Sequence, residues 1–303
     1  MTERRLIIGS RGSDLALIQA GIVQAALRDR CGGKADIKVI KTQGDRLDQL
    51  AFEKMEGKGF FTKELEEALL AGSIDLAVHS MKDLPTSQTV GLNITAVGFR
   101  ADRRELLLMR PGTRDGSEIL PVRSGGVIGT SSSRRKAQIA FHNPTLATRD
   151  LRGNVPTRIR KLGEGQFDAI VIAASGPERL GLDLSDLDAV WLKTEDFVPA
   201  PAQGVLAIQT RRNDDGLTRL VQGLNDPLVE SEVAVERGLL TRFQSGCSLP
   251  LGVYAESAGE GIRVIAALGV PENGGWGKLK KVDMIGPFSE KIIDEVYDVL
   301  MRD

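Results

Sequence analysis

Short runs rich in isoleucine and valine recur along this chain and alternate with longer segments whose apolar residues follow the period of a helix. Runs of this kind, bounded by glycine and polar residues, are typical of buried strands. The clearest cover residues 5–10, 36–42, 74–80, 93–99, 126–131, 167–175 and 205–210. Because neighbouring parallel strands need a crossover connection that is usually helical, the alternation predicts an α/β fold with parallel sheets.

The segment between the first two runs has a clear helical period. Ser13 is the expected N-cap and Gly32 the expected end of the helix. The predicted apolar face consists of Leu15, Ile18, Ile22 and Ala26.

The chain has 303 residues, which predicts two or three domains rather than one core. The pattern changes after about residue 220. There it predicts a helix near 228–243, alternating strands at 251–256, 262–268 and 278–285, and a terminal helix near 288–301. This grouping indicates a separate α+β domain.

The charge balance is nearly even overall and uneven locally. Forty basic residues face forty-one acidic ones, so nothing favours nucleic acid or an anionic membrane as a partner. Residues 101–160 nevertheless hold twelve basic and five acidic residues. We expect part of this surplus to face an anionic small molecule.

Other composition features exclude several classes of protein. The first apolar run is too short for a signal-peptide core or a membrane span, so we expect a cytoplasmic protein. The two cysteines, Cys31 and Cys247, are expected to be free thiols in that compartment. The two histidines, His79 and His142, have no spacing typical of a metal site, and no metal is expected.

Four polar segments follow predicted strands, the position where ligands bind in open α/β sheets. They are SRGSDLAL (10–17), HSMKDLP (79–85), GTSSSRRKAQ (129–138) and LRGNVPTR (151–158). In the third, hydroxyl groups and the N–H groups of a helix start converge, and Arg134 and Arg135 add donors suited to carboxylates. Each segment can also be a simple helix cap, but arginines that recur after several strands favour an anion site.

Two further residues have alternative interpretations from composition alone. Asp83, next to Lys82, can belong to a surface turn or to a catalytic site. Cys247 lies in SGCSLPLG, where a glycine neighbour leaves the sulfur accessible, and it can be reactive or structural.

Together these segments resemble the porphobilinogen deaminase (hydroxymethylbilane synthase) family along essentially the whole chain. Eight motifs in family order carry the resemblance. They lie at residues 10–20, 57–70, 75–85, 129–138, 151–162, 167–181, 199–209 and 236–252.

The resemblance implies a transferase of tetrapyrrole and haem biosynthesis that condenses four porphobilinogen molecules into hydroxymethylbilane. It implies two doubly wound domains similar to periplasmic binding proteins and a smaller C-terminal α+β domain. The implied boundaries are 1–100 with 200–219, then 101–199, and 220–303 for the domain that carries the cofactor cysteine. We further expect a monomer.

The resemblance also implies the roles of individual residues. Cys247 holds a dipyrromethane cofactor through a thioether, and Asp83 is catalytic. Residues expected to bind the cofactor are Lys82, Ser13, Thr130, Ser131, Ser132, Arg134, Arg135 and Arg158. Residues expected to bind substrate are Arg11, Arg149, Arg152, Arg179, Phe61 and Gln203. The segment 43–60 corresponds to a lid.

This chain departs from the usual family pattern at several positions, among them Ala202, where glycine is usual, and Pro177-Glu178 before Arg179. Two other functions fit parts of the sequence. One is an anion-binding protein without catalysis, and the other is a cysteine-dependent transferase with a different substrate. A bound dipyrromethane would distinguish the family function from both.

Overall fold

The structure, a computed structural model, describes residues 5–42, 62–116, 118–243, 249–272 and 275–302. The chain divides into two compact units. Unit 1 comprises Met1–Ala101 with Gly204–Glu230, and unit 2 comprises Asp102–Gln203 with Ser231–Asp303.

The described strands are, in chain order, β1 (Leu6–Ser10), β2 (Ala35–Val39), β3 (Leu76–Ser80), β4 (Leu92–Gly98), β5 (Glu105–Met109), β6 (Val127–Gly129), β7 (Ala147–Arg149), β8 (Ala169–Ala173), β9 (Asp188–Leu192), β10 (Leu206–Arg211), β11 (Leu251–Ala258), β12 (Gly261–Glu272) and β13 (Gly275–Gly286). The described helices are α1 (Asp14–Cys31), α2 (Lys63–Leu70), α3 (Ser133–His142), α4 (Val155–Gly163), α5 (Ser175–Leu180), α6 (Asp215–Gln222), α7 (Pro227–Arg242) and α8 (Glu290–Met301). None of these helices is long and apolar enough to cross a membrane.

Unit 1 contains a five-stranded sheet in the order β2-β1-β3-β10-β4, in which only β10 runs antiparallel to its neighbours. Successive strand residues face opposite sides of the sheet. Ile8 and Val78 therefore pack with α1 on one face, and Ile7 and Ala77 pack with Leu65 of α2 on the other. Helices on both faces make this a doubly wound sheet.

Unit 2 contains a second sheet in the order β7-β6-β8-β5-β9, and here β5 is the antiparallel strand. Leu107 and Val171 pack with Ile139 of α3 on one face, whereas Leu106 and Ile170 pack with α4 on the other. The second sheet therefore has the same arrangement of strands as the first, except that the antiparallel strand comes last in the chain in unit 1 and first in unit 2.

Residues 251–301 of unit 2 build a smaller layer. Strands β11, β12 and β13 form an antiparallel sheet, and its inner face packs on α7 and α8 through Val253, Leu239 and Val296. The predicted α/β class, with two doubly wound sheets and a small C-terminal α+β layer, is confirmed. The division into three domains at 1–100 with 200–219, 101–199 and 220–303 stays a prediction.

Helix α1 confirms the predicted caps and corrects the predicted face. Ser13 accepts the N–H of Ala16, and Gly32 ends the helix with φ at +66°. The fully buried apolar residues are Ala20, Val23 and Leu27. Of the predicted face only Ala26 is also buried, while Leu15, Ile18 and Ile22 stay partly exposed, with Ile22 packed against the edge of the core. The inward face also includes the buried Gln19, whose amide donates to the Ser80 hydroxyl at the end of β3 at 3.0 Å.

Candidate active site

In unit 1, β1 leads directly into the N-terminus of α1, with Arg11 and Ser13 in between. The Ser13 hydroxyl oxygen accepts the N–H of Ala16 at 3.4 Å, so it stabilises the helix start. Because β1 and β3 are parallel neighbours, this junction lies at the same sheet edge as the residues after β3.

The segment after β3 forms a 3-10 turn over Met81–Asp83. Met81 is buried, and its N–H donates to the carbonyl of Val205 at 2.9 Å, which fixes the start of the turn. Lys82 is half-buried and Asp83 is exposed. The predicted catalytic carboxylate therefore stands on the rigid end of a buried strand and remains accessible to a ligand.

Just before this turn, His79 begins a buried chain of hydrogen bonds. Its Nε2 lies 3.1 Å from Oε1 of Gln209, whose Nε2 donates to Glu66 at 3.0 Å. Burial lowers the pKa of His79 to about 4, opposed by the Gln209 hydrogen bond and helped by the positive charge of Arg11. His79 is therefore neutral at pH 7 and supports the interior of unit 1.

In unit 2, the corresponding junction of β6 and α3 contains Thr130, Ser131 and Ser132. Ser132 caps α3 by accepting the N–H of Arg135 at 3.5 Å. Ser131 donates to the carbonyl of Leu151 and accepts its N–H, both at 3.1 Å, and this ties the loop after β6 to the loop after β7. The three predicted hydroxyl residues thus lie on one hydrogen-bonded loop, in which Thr130 is buried, Ser132 half-buried and Ser131 exposed.

Arg134 and Arg135 of α3 point into unit 2, where both meet Glu105 at the start of β5. Each guanidinium donates to a different oxygen of the fully buried Glu105 carboxylate at 2.7 Å. Arg134 also donates to the carbonyl of Val198, and Arg135 to that of Val171, both at 2.9 Å. Two buried cations thus share one buried anion.

This cluster, Glu105 with Arg134 and Arg135, carries an excess positive charge. Burial lowers the pKa of Arg134, with the attraction of Glu105 opposing it and the repulsion of Arg135 adding to it. The Nε of Arg135 is buried and has no hydrogen-bond partner among the described residues. A buried charge without a full set of partners is costly, so the cluster is chemically suited to a further anion.

Of the other predicted arginines of unit 2, Arg149 ends β7, whereas Arg152 and Arg158 follow β7 and Arg179 follows β8, all at the same sheet edge. Arg149 stacks over the Phe167 ring at 4.6 Å and donates to the carbonyl of Gln166. Arg158 of α4 donates to the carbonyl of Gly153 at 2.7 Å. Arg152 and Arg179 are partly buried, and burial lowers the pKa of Arg179 while Glu178 raises it.

The turn that precedes α4 depends on Gly153. Its φ is +106°, and a Cβ there would approach Thr157 Cγ2 to 2.6 Å. Only glycine fits both conditions. Asn154 then caps the helix by accepting the N–H of Thr157 at 3.0 Å, which directs Arg158 back toward the turn.

Gln203 is fully buried, and its amide donates to the carbonyls of Arg103 and Arg104 at 3.0 and 3.3 Å. Its predicted contact with substrate stays a prediction. The preceding Ala202 has φ at +60°, a conformation that glycine adopts most easily. Its N–H donates to the buried carboxylate of Glu236 on α7.

Three sequence predictions lie outside the described residues, namely Cys247, Phe61 and the segment 43–60. Sequence reasoning missed Glu105 and the buried Gln138 of α3. The only signals were a charged residue before the apolar run LLLM and a glutamine at the end of GTSSSRRKAQ.

The fold and these contacts define a class, an α/β protein in which hydroxyl groups and arginines stand at the ends of sheet strands. Residues 6–219 match the family profile of porphobilinogen deaminase, dipyromethane cofactor binding domain, and residues 231–287 match that of porphobilinogen deaminase, C-terminal domain. The chain belongs to the porphobilinogen deaminase family.

Curated relatives agree with this assignment. The porphobilinogen deaminase of Syntrophobacter fumaroxidans is 43% identical over 84% of this chain and 81% of its own length. That of Sulfurimonas denitrificans is 43% identical over 88% and 85%, respectively. Among solved structures, a periplasmic substrate-binding protein of an ABC transporter from Coxiella burnetii is 16% identical, with 77% of this chain and 96% of that chain covered and a TM-score of 0.45.

Proposed function

We propose that this chain is a transferase that joins four porphobilinogen molecules, with loss of ammonia, into the linear tetrapyrrole hydroxymethylbilane. The reaction belongs to tetrapyrrole and haem biosynthesis and uses a dipyrromethane cofactor bound covalently to Cys247. Family membership over most of the chain supports this proposal. The observation that carries it in the structure is the buried arginine cluster with its excess positive charge.

The described residues fit such a cofactor. A dipyrromethane with acetate and propionate groups presents several carboxylates. In the cluster, two arginines share the single carboxylate of Glu105, and the Nε of Arg135 has no hydrogen-bond partner among the described residues. Charged hydrogen bonds from arginine to carboxylate are among the strongest in proteins. When bound, the dipyrromethane supplies the pyrrole carbon to which the first new ring is joined.

We assign the residues as follows. The cofactor is held by Lys82, Ser13, Thr130, Ser131, Ser132, Arg134, Arg135 and Arg158, besides the thioether of Cys247. The carboxylates of incoming rings are bound by Arg11, Arg149, Arg152, Arg179 and Gln203, with Phe61 beside the pyrroles.

Asp83 stabilises the positive charge that develops during the reaction. Loss of ammonia from porphobilinogen leaves a positive charge on the substrate pyrrole, and a fixed carboxylate stabilises that charge as it develops. The same carboxylate can hold the proton that leaves when the new bond has formed. Its place on a short turn whose first residue is anchored to Val205 keeps the charge in position without reorganisation.

We also propose that the protein works in the cytoplasm as a monomer, without nucleic-acid or membrane partners. The nearly even charge balance supports the absence of a nucleic-acid or anionic-membrane partner, because no net positive charge is available for a polyanion.

Intact-protein mass spectrometry tests the proposal. The native chain should be heavier than its sequence by one dipyrromethane, and Cys247→Ala should remove that excess. Cys31→Ala is the matched control, because burial raises the pKa of the Cys31 thiol and so disfavours the reactive thiolate. Native protein should also give a pink colour with Ehrlich's reagent.

Two results would contradict the proposal. Native protein without the added mass would leave only the anion-binding alternative or another transferase. An added mass that persists in Cys247→Ala would move the attachment to a different residue.

A further inference from the structure

Gln138, the last residue of the GTSSSRRKAQ motif, has no part in the function proposed above, yet it is completely buried. It lies one helical turn after Arg134 on α3, so both side chains leave the helix on the same face. Both bond the backbone of a single residue, Val198.

The contact between Gln138 and Val198 is reciprocal. The Gln138 amide nitrogen donates to the Val198 carbonyl at 2.9 Å, and its amide oxygen accepts the Val198 N–H at 2.7 Å. Arg134 donates to the same carbonyl at 2.9 Å. The backbone at Val198 is therefore held at both its donor and its acceptor.

The segment held in this way is bonded in turn to β11. The N–H of Val253 donates to the Pro199 carbonyl at 3.0 Å, and a Cβ at Gly252 would approach the Val198 oxygen to 2.7 Å. Strand β11 begins at Leu251, four residues after Cys247. The backbone of Val198 and Pro199 thus connects the arginine cluster to the strand that follows the cofactor cysteine in the chain.

A second contact joins α3 to the same region without any hydrogen bond from Gln138. A Cβ at Gly269 of β12 would approach the Ala137 Cβ to 2.4 Å and the Pro250 Cβ to 3.1 Å. The N–H of Gly269 donates to the Pro250 carbonyl at 3.0 Å. Helix α3 and the start of β11 are thus packed at a spacing that leaves no room for a methyl group.

We propose that Gln138 is a positioning residue for this enzyme, which fixes the arginine pair of α3 relative to the strand that follows Cys247. The inference rests on the proposed function, since both ends of this connection are assigned to the same cofactor. A cofactor that is covalently attached at one end and bound by arginines at the other needs a fixed distance between the arginine pair of α3 and the start of β11.

The test replaces Gln138 by methionine, which keeps the length of the side chain and removes both hydrogen bonds. We expect the fraction of purified protein that carries the dipyrromethane mass to fall about tenfold, the factor that corresponds to about 1.4 kcal/mol for the two lost hydrogen bonds together. Thr113→Val is the matched control. The buried Thr113 hydroxyl bonds the carbonyls of Arg110 and Asp168 beyond the opposite end of β5, so this variant should lower Tm to a similar degree and keep full loading.

A pair of variants tests the same spacing independently of folding losses in Gln138→Met. Gly269→Ala should displace α3 and reduce loading, and Ala137→Gly added to it should restore loading, although Tm should recover only in part because glycine is unfavourable inside a helix. Full loading of Gln138→Met or of Gly269→Ala, with a Tm loss like that of Thr113→Val, overturns the inference while the proposed function stands. Absence of the dipyrromethane mass from the parent chain overturns both.

Discussion

The two large sheets have the same strand order, yet they differ at one equivalent buried position. The antiparallel strand is β10 in unit 1 and β5 in unit 2, and its first residue is Leu206 in one and Glu105 in the other. Each pairs with the last residues of the two neighbouring strands, and each is fully buried. The fold therefore accepts a leucine where unit 2 has an ionic cluster.

This difference separates what the fold requires from what the site requires. A buried ion cluster is often no more stabilising than an apolar replacement of similar volume, because desolvation offsets the attraction of the charges. Leu206 of unit 1 shows that this arrangement of strands accepts an apolar residue at the equivalent position. Under the proposed function, unit 2 keeps Glu105, Arg134 and Arg135 for the ligand and not for the fold.

The largest expected effect comes from replacing Glu105 by the leucine that unit 1 has at the equivalent position. Glu105→Leu leaves two buried arginines without their anion and should lower the free energy of unfolding by about 3–5 kcal/mol. Changing Arg134 and Arg135 to methionine in the same chain makes the site apolar, as in unit 1, and should recover most of that loss. Urea unfolding of the single and triple variants measures both effects.

The triple variant should also lack the dipyrromethane mass, because the carboxylate-binding groups are gone. Recovered stability together with normal loading would show that the cluster has no role in ligand binding. A triple variant as unstable as Glu105→Leu would show that the fold of unit 2 does need these ions.

The second prediction concerns Asp83 of unit 1, whose carboxylate is exposed, whereas the Glu105 carboxylate of unit 2 is buried. Asp83→Asn keeps the size of the side chain and removes its charge, so stability should change little. One charge pair at about 4 Å is worth roughly 4 kcal/mol at an effective dielectric of about 20. If that attraction to the developing cation is lost, turnover should fall about a thousandfold.

Asp83→Glu, which keeps the charge one methylene further out, should retain more activity than Asp83→Asn. Both variants would be checked for cofactor by mass and assayed for porphobilinogen consumption. Near-parent turnover of loaded Asp83→Asn would mean that another group stabilises the cation.

The same contrast shows what the sequence could reveal. The strands β1, β3 and β8, the caps of α1 and the start of α3 followed from local pattern, because valine and isoleucine runs and capping residues act within a few positions. Strand β5 did not, since its run of leucines fits a helix as well as a strand. The pairing of Glu105 with α3 spans about thirty residues and depends on the crossover, which no local pattern records.

The third prediction compares the two histidines, one in each unit. The pKa of His79 falls from 6.5 to about 4 in the folded chain, so protonation favours the unfolded chain. Stability is full above pH 6.5 and is lost as the pH falls, by about 2 kcal/mol at pH 5 and about 3 kcal/mol in total. Urea unfolding at pH 7 and pH 5 measures this loss.

His79→Gln should remove most of the acid sensitivity in that range. His142 is only half-buried, and burial lowers its pKa against a hydrogen bond to the Asp196 carbonyl, so His142→Gln should leave most of the sensitivity in place. Equal sensitivity in His79→Gln and the parent would place the acid-labile group elsewhere.

The smallest effect concerns the two equivalent helix starts, capped by Ser13 and Ser132. Both capping bonds are long, at 3.4 and 3.5 Å, whereas the Asn154 cap of α4 measures 3.0 Å. N-cap substitutions by alanine cost about 0.5–2 kcal/mol, and longer bonds are weaker, so Ser13→Ala and Ser132→Ala should each cost about 0.5 kcal/mol and Asn154→Ala about 1 kcal/mol. Thermal unfolding of the three variants gives the order.

Cofactor loading of the same variants distinguishes a capping role of the two serines from a binding role. If both serines serve only as caps, loading should follow stability in the same order. If they also bind the cofactor, Ser13→Ala and Ser132→Ala should lose loading beyond their small loss of stability, while Asn154→Ala should not. Loading that falls most in Asn154→Ala would contradict the assigned roles of both serines.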